Sequence, residues 1–230
     1  MEVNDEVSTL KLISSKPEAG NVMTFIFETE GLTWIAGQFQ RYILPQAGTT
    51  EDETERWFTI AAAPSEGVVR ISTRISESRF KRALKALQPG DTIRRRSLQG
   101  DFTWEEEPSK PVVLIAGGIG ITPFRSILLE RHTTLKKINA TLLYFNRTDE
   151  IPFLAELETL AEQQPEFTLI PIIGEAVTVR NILTQVSQAS DQTFYLSGPE
   201  SMVESVGAKL IKQGVNLKQD WFPGYDEKNY

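Results

Sequence analysis

The chain has 230 residues, 40% of them hydrophobic and 24% charged, which suits one large domain or two small ones around a sizeable core. Its 24 basic against 31 acidic residues give a net charge of −7, and this excludes a nucleic-acid binder built on a basic face. Cysteine is absent and His132 is the single histidine, so disulfides, thiolate zinc sites and cysteine-held iron–sulfur clusters are excluded, and no metal is expected. No apolar run approaches the roughly 20 residues of a membrane span. The opening MEVNDEVSTLKL lacks the basic start and apolar centre of a signal peptide, so the expected location is the cytoplasm.

Residues 6–15, 21–28 and 38–45 carry apolar residues between turn signals and read as three antiparallel strands. The polar stretch 46–55, QAGTTEDETE, has no periodicity and reads as a surface loop. Arg56 to Ala63 is the next strand. A guanidinium there suits a diphosphate through its planar fork, Phe58 suits a flat ring, and the Thr59 hydroxyl can donate or accept. The alternative is an edge strand with an exposed Arg56 and a core Phe58. Residues 68–75, VVRISTRI, alternate as a further strand. Ser78 opens a short helix that ends at Leu87, with Pro89-Gly90 as its stop. The first amides of that helix, around Arg79, Phe80 and Lys81, can hold phosphate oxygens. The Lys81 side chain either adds a charge there or points to solvent. Asp91 to Arg96 is the last strand of this half, and Arg94-Arg95-Arg96 reads as its solvated end. The charged stretch Glu105-Glu106-Glu107-Pro108-Ser109 marks a boundary between domains at 1–107 and 108–230. Six short strands before it suit a small antiparallel barrel.

After residue 110 strands and helices alternate. Strands are expected at 111–116, 139–145, 167–173, 193–197 and 216–222, and helices at 122–131, 152–163, 178–187 and 199–212. This is the pattern of a parallel sheet with helices on both faces. The first strand, Val112 to Ile115, runs into Gly117, Gly118 and Gly120, then Thr122 and Pro123. Glycines remove the Cβ atoms that would hold a ligand off the backbone, and Pro123 suits a first helical turn. Strand, bare turn and helix N-terminus together make a diphosphate cradle. Ligands of such sheets sit at the C-terminal strand ends, where Asn146-Arg147 and Ser197-Gly198-Pro199 also fall. Arg147 suits a ribose 2′-phosphate, but Asp149 and Glu150 beside it oppose one, so the choice between NADH and NADPH stays open.

Three motifs in order, Arg56-Trp57-Phe58-Thr59, the turn Gly117-Gly118-x-Gly120-x-Thr122-Pro123, and Ser197-Gly198-Pro199-x-x-Met202, resemble those of the ferredoxin–NADP reductase superfamily. The resemblance runs from Gly37-Gln38-Phe39 to Tyr225. It implies a six-stranded antiparallel FAD-binding β-barrel followed by an α/β nucleotide-binding domain with a five-stranded parallel sheet, and FAD and NAD(P)H as cofactors. It also implies that Arg56 grips the FAD diphosphate, Phe58 packs on the isoalloxazine and Thr59 faces flavin N5. Ser72, Thr73 and Arg74 would line the ribityl and diphosphate. Phe58 stands where the family usually has Tyr. Ser197 stands where it has Cys beside the nicotinamide. Asp220-Trp221-Phe222 is similar to the family's acidic-x-aromatic terminus, which makes Asp220 the carboxylate near N5 and either Phe222 or Tyr225 the ring cover.

The expected function is hydride transfer from NAD(P)H to flavin, with electrons passed to a separate acceptor such as a ferredoxin, another carrier or a small molecule. The alternatives are a flavin- or nucleotide-binding regulatory subunit without turnover, and a flavin-free dehydrogenase, for which the single histidine is a poor basis. The oligomeric state is open.

Overall fold

The computed structural model describes residues 7–104, 111–186 and 192–221. The expected domain boundary at 107/108, the expected ring covers Phe222 and Tyr225, and the last residue of the helix expected over 178–187 lie outside the described residues.

The first half comprises β1 (Ser8–Ala19), β2 (Val22–Glu28), β3 (Phe39–Ile43), a helical turn α1 (Glu51–Thr54), β4 (Glu55–Thr59), β5 (Val68–Arg74), α2 (Arg79–Ala86) and β6 (Thr92–Gln99). The strands form one antiparallel six-stranded sheet in the order β4-β3-β6-β1-β2-β5. Its two edges approach each other just beyond β4, where the Ala61 N–H donates to the Arg70 carbonyl at 2.9 Å. Alternate side chains point inward, so Leu10, Phe25, Phe27, Tyr42, Phe58 and Ile71 fill the centre. Helix α2 closes one end with Phe80 and Leu84, and the Ser78 hydroxyl caps it by accepting from the Lys81 amide at 3.3 Å.

Two expectations are corrected here. The stretch 46–55 is not wholly loop, because it contains α1. The Glu53 carboxylate accepts from the amides of Thr49 and Thr50 at 2.9 and 3.3 Å and holds the turn together. A single four-residue turn has no periodicity to detect, although Thr50-x-x-Glu53 carries the capping signal. Strand β4 ends at Thr59 rather than Ala63, because the next carbonyls leave the sheet to accept bonds from the second half.

The second half comprises β7 (Val112–Gly117), α3 (Ile121–Thr133), β8 (Ala140–Asn146), α4 (Leu154–Gln163), β9 (Phe167–Ile173), α5 (Val179–Leu183), β10 (Thr193–Ser197), α6 (Glu200–Lys212) and β11 (Asn216–Asp220). The five strands are parallel, in the order β11-β10-β7-β8-β9. β7 is central and buried on both faces. Val112, Leu114 and Ala116 pack toward α3 and α4, whereas Val113 and Ile115 pack toward α5 and α6. A strand covered on both sides reads as an unbroken apolar run, as this one does. Among the described residues no helix is long and apolar enough to cross a membrane.

Candidate functional site

The C-terminal end of the parallel sheet opens on a cavity of about 660 Å³, whose wall includes Gly117, Gly118, Asn146, Arg147, Pro199 and Met202. These come from the ends of β7 and β8 and from the turn after β10 with the first turn of α6, the places at which the sequence put them. Across the seam, Asn21 and Arg74 of the antiparallel half complete the wall.

Gly118 explains the turn. Its φ is +55°, and a Cβ built on it would stand 2.8 Å from Arg74 Nη2. The bare Cα therefore admits the Arg74 guanidinium over the turn, where Asn21 Oδ1 accepts from Nη1 at 3.3 Å. Gly120 answers a different need. A Cβ there would lie 2.4 Å from the Ser197 carbonyl oxygen, so its absence lets the turn pack on the end of β10. Gly117 and Gly198 both lie against the Met202 thioether, which fills the space their side chains would take. Thr122 donates its hydroxyl to the Ile119 carbonyl at 3.1 Å, and Pro123 is buried in the first turn of α3.

At the sheet end nearest the antiparallel half, β10 and β11 finish side by side. Ser197 pairs with Asp220 in the strand register, and the Ser197 Oγ donates to Asp220 Oδ2 at 3.3 Å. Both are nearly sealed from water. Burial pushes the Asp220 carboxyl up to about 7, the Ser197 bond opposes this, and the negative Asp101 adds to it.

A second cluster lies at α2. Lys81 is 2% exposed, and burial first, then the positive Arg56 and Arg74, push its ammonium down to about 8. Three cations within electrostatic reach of one another favour an anion. The Arg56 guanidinium lies 5.9 Å over the Phe80 ring. Phe58 sits deep between Tyr42 and Phe80, with ring centroids 6.1 and 5.8 Å away, so it is chiefly a core residue. Thr59, next to it, points to the opposite side of β4, as does Trp57, which meets Phe39 edge-on at 5.4 Å.

The remaining expected residues divide. Thr73 faces the side of β5 that carries the core. The Ser72 hydroxyl shares a hydrogen bond of 2.8 Å with Thr24, on the side facing the seam. The Arg79 side chain is 61% exposed and pairs with Glu53 at 3.2 Å, so only its amide is placed at the helix start. His132 is structural in its contacts: Nδ1 lies 2.8 Å from Gln164 Nε2.

Sequence reasoning missed Arg125, which is 1% exposed in α3. Its signal was a lone cation inside the apolar run Ile121 to Leu129. It also missed Glu66, whose carboxylate burial would raise but which the Arg125 donors hold below the ordinary range.

The family described as an oxidoreductase NAD-binding domain matches residues 114–207, from β7 into α6. A flavohemoprotein of Candida albicans is 25% identical over 228 residues, covering 92% of this chain and 52% of its own length. Ferredoxin–NADP reductase B of Sorangium cellulosum is 31% identical over 158 residues, 66% of this chain and 63% of that protein. An NAD(P)H-flavin reductase of Aliivibrio fischeri is 26% identical over 232 residues, 92% of this chain and 95% of that protein. The chain spans only 52% to 63% of the length of three such relatives, the Candida and Sorangium proteins and flavohemoprotein A of Dictyostelium discoideum, which it covers to 55%. In structure, a ferredoxin NADP+ reductase from Neisseria gonorrhoeae with bound FAD and NADP matches with a TM-score of 0.79 at 19% identity, over 93% of this chain and 98% of that one. The two-sheet architecture is the fold of that reductase, and residues 114–207 match the oxidoreductase NAD-binding domain family.

Proposed function

We propose that the protein is an NAD(P)H-dependent flavin oxidoreductase that holds FAD against its antiparallel half and a nicotinamide dinucleotide in the 660 Å³ cavity. The observation that carries this reading is Arg74, a cation of the first half laid over the glycine turn of the second. A guanidinium above a bare turn at a helix N-terminus gives two independent sources of diphosphate binding, charge and amides. The residues present also fit a flavin. Arg56, Arg74 and the buried Lys81 bring positive charge together, and the FAD diphosphate is an anion of complementary charge. The flavin, when bound, supplies the redox chemistry by accepting a hydride at N5.

The chain's own residues do the rest. Arg56, Lys81 and the first amides of α2 would hold the flavin diphosphate. Arg74, Gly117 and Gly118 would hold the nucleotide diphosphate, and Asn146 and Arg147 would meet its adenosine end. Thr59 offers a hydroxyl at the end of β4. Asp220, near half-protonated at neutral pH, can hold or give up a proton beside Ser197. The 230 residues hold no cysteine, so no thiolate of this sequence carries an iron–sulfur cluster.

The test is direct. Purified protein is loaded with FAD, made anaerobic, and mixed with NADH or NADPH while flavin absorbance is followed. Bleaching supports the reading, and the faster nucleotide names the donor. Failure to take up FAD overturns it. Uptake of FAD without bleaching by either nucleotide favours a binding subunit without turnover.

A further inference from the structure

The two halves meet through an ion network that the mechanism above does not use. Arg125 lies in the second turn of α3, one turn beyond the glycine cradle, and all five of its N–H groups are engaged. Nη1 donates to the Ala61 carbonyl at 2.7 Å and to Glu66 Oε2 at 2.7 Å. Nη2 donates to Glu66 Oε1 at 3.1 Å and to Glu156 Oε1 at 2.7 Å. Nε donates to Glu156 Oε2 at 2.7 Å. Its planar group also lies 5.2 Å over the ring of Phe153, which opens α4 with a φ of +60°. Arg70 joins through Glu66 at 2.8 Å, so two cations face two carboxylates.

The position of these bonds matters more than their number. Ala61 is two residues past Thr59, and Ala62, which follows, accepts from the Ser126 hydroxyl at 2.6 Å. The strand that carries the candidate N5 partner is therefore tied, within two residues, to the helix whose N-terminus is the dinucleotide cradle. A buried ion pair is weak evidence for stability, since an apolar set of the same volume holds two surfaces together as well. What a bidentate fork adds is direction: it permits one register between the partners and penalises others.

We propose that Arg125 is a positioning residue that fixes the register of the two halves and so sets the approach of nicotinamide to flavin. The kinetic part of this rests on the reading under Proposed function; the structural part does not. A displacement of about 1 Å between reacting groups can slow transfer by about 100-fold while leaving binding contacts largely intact.

The experiment uses the absence of cysteine. Lys85 on α2 and Lys209 on α6, both exposed, are replaced by cysteine and spin-labelled, and the label-to-label distance distribution is measured by pulsed electron resonance. It is measured in the parent, in Arg125→Met and in Arg125→Lys; the lysine variant keeps charge and most of the volume and guards against a methionine variant that fails to fold. Transfer from saturating NAD(P)H to bound FAD and the affinity for NAD(P)+ are measured alongside. The expected result is one narrow distribution in the parent, a broader or shifted one in both variants, and a transfer rate at least tenfold lower with nucleotide affinity changed less than threefold. A variant that melts earlier but keeps the parent distribution overturns the proposal. A parent that takes up no flavin overturns the functional reading instead, and the distances then still decide whether Arg125 sets the register.

Discussion

Ser197 and Asp220 face each other at the paired ends of β10 and β11, Oγ to Oδ2 at 3.3 Å, with 1% and 8% of their surfaces exposed. The consequence is a carboxyl whose proton is held far more tightly in the folded protein than in the unfolded chain. Its folded value is about 7, against an ordinary 3.8. Between those values the folded state binds more protons than the unfolded one, so this group's contribution is complete below the ordinary value and is lost as pH rises toward 7. Asp220→Asn removes the loss. The variant should gain stability relative to wild type as pH goes from 4 to 8, by on the order of 2–4 kcal/mol at the upper end. Thermal melts of both proteins across this range check it; parallel curves would show that the carboxyl is not held protonated.

Glu66 has the opposite sign. Arg125 and Arg70 hold its carboxylate below the ordinary range despite burial, so its contribution is present above that range and disappears as pH falls through the lowered value. Glu66→Gln should destabilise by about 3 kcal/mol at pH 7, because it leaves the Arg125 charge short of a buried partner. The penalty should shrink toward pH 3, where wild type protonates as well. Urea unfolding at the two pH values measures it.

Much of this organisation was legible in the sequence. The apolar run Val112 to Ile115 has the pattern of a strand buried on both faces, and the turn from Gly117 to Pro123 is punctuated by residues with few other uses. The alternation of strands and helices alone brings Gly118, Asn146 and Pro199 to one end of one sheet. What stayed hidden depends on tertiary placement. Nothing local tells that the Arg79 side chain leans away to Glu53 while the neighbouring Lys81 turns inward. Phe58 obeys the period of its strand, yet whether that face meets a ligand or the barrel core is settled by Tyr42 and Phe80, distant in sequence. Arg125 was visible only as an anomaly, because its two carboxylates come from separate elements.

Lys81 links the flavin reading to a pH dependence. Burial, Arg56 and Arg74 depress its ammonium to about 8 in the protein without an anion. Below pH 8 the charge is in place for a diphosphate, and above it flavin binding must first recruit a proton. The FAD affinity of wild type should therefore weaken as pH rises from 7.5 to 9.5, while Lys81→Met binds FAD about 10- to 100-fold more weakly at pH 7 and lacks that dependence. Fluorescence titration of FAD at several pH values provides the comparison.

The two glycines of the turn should separate binding from folding. Gly118→Ala places a methyl 2.8 Å from Arg74 Nη2, the mobile end of a long side chain, and holds alanine at a φ of +55°. The side chain can move aside, and the backbone strain costs about 1–2 kcal/mol. The protein should fold, keep its FAD affinity, and lose about tenfold in affinity for NAD(P)+, because the displaced guanidinium no longer covers the turn. Gly120→Ala meets backbone instead, the Ser197 carbonyl oxygen at 2.4 Å and the Gly198 Cα at 2.6 Å. Neither can yield without moving the end of β10 away from β7, and with it the Ser197–Asp220 pair. That variant should be recovered poorly or melt far below wild type. Equal loss of nucleotide affinity at equal stability in the two variants would show that the turn tolerates a side chain at either position and that its bareness serves no diphosphate.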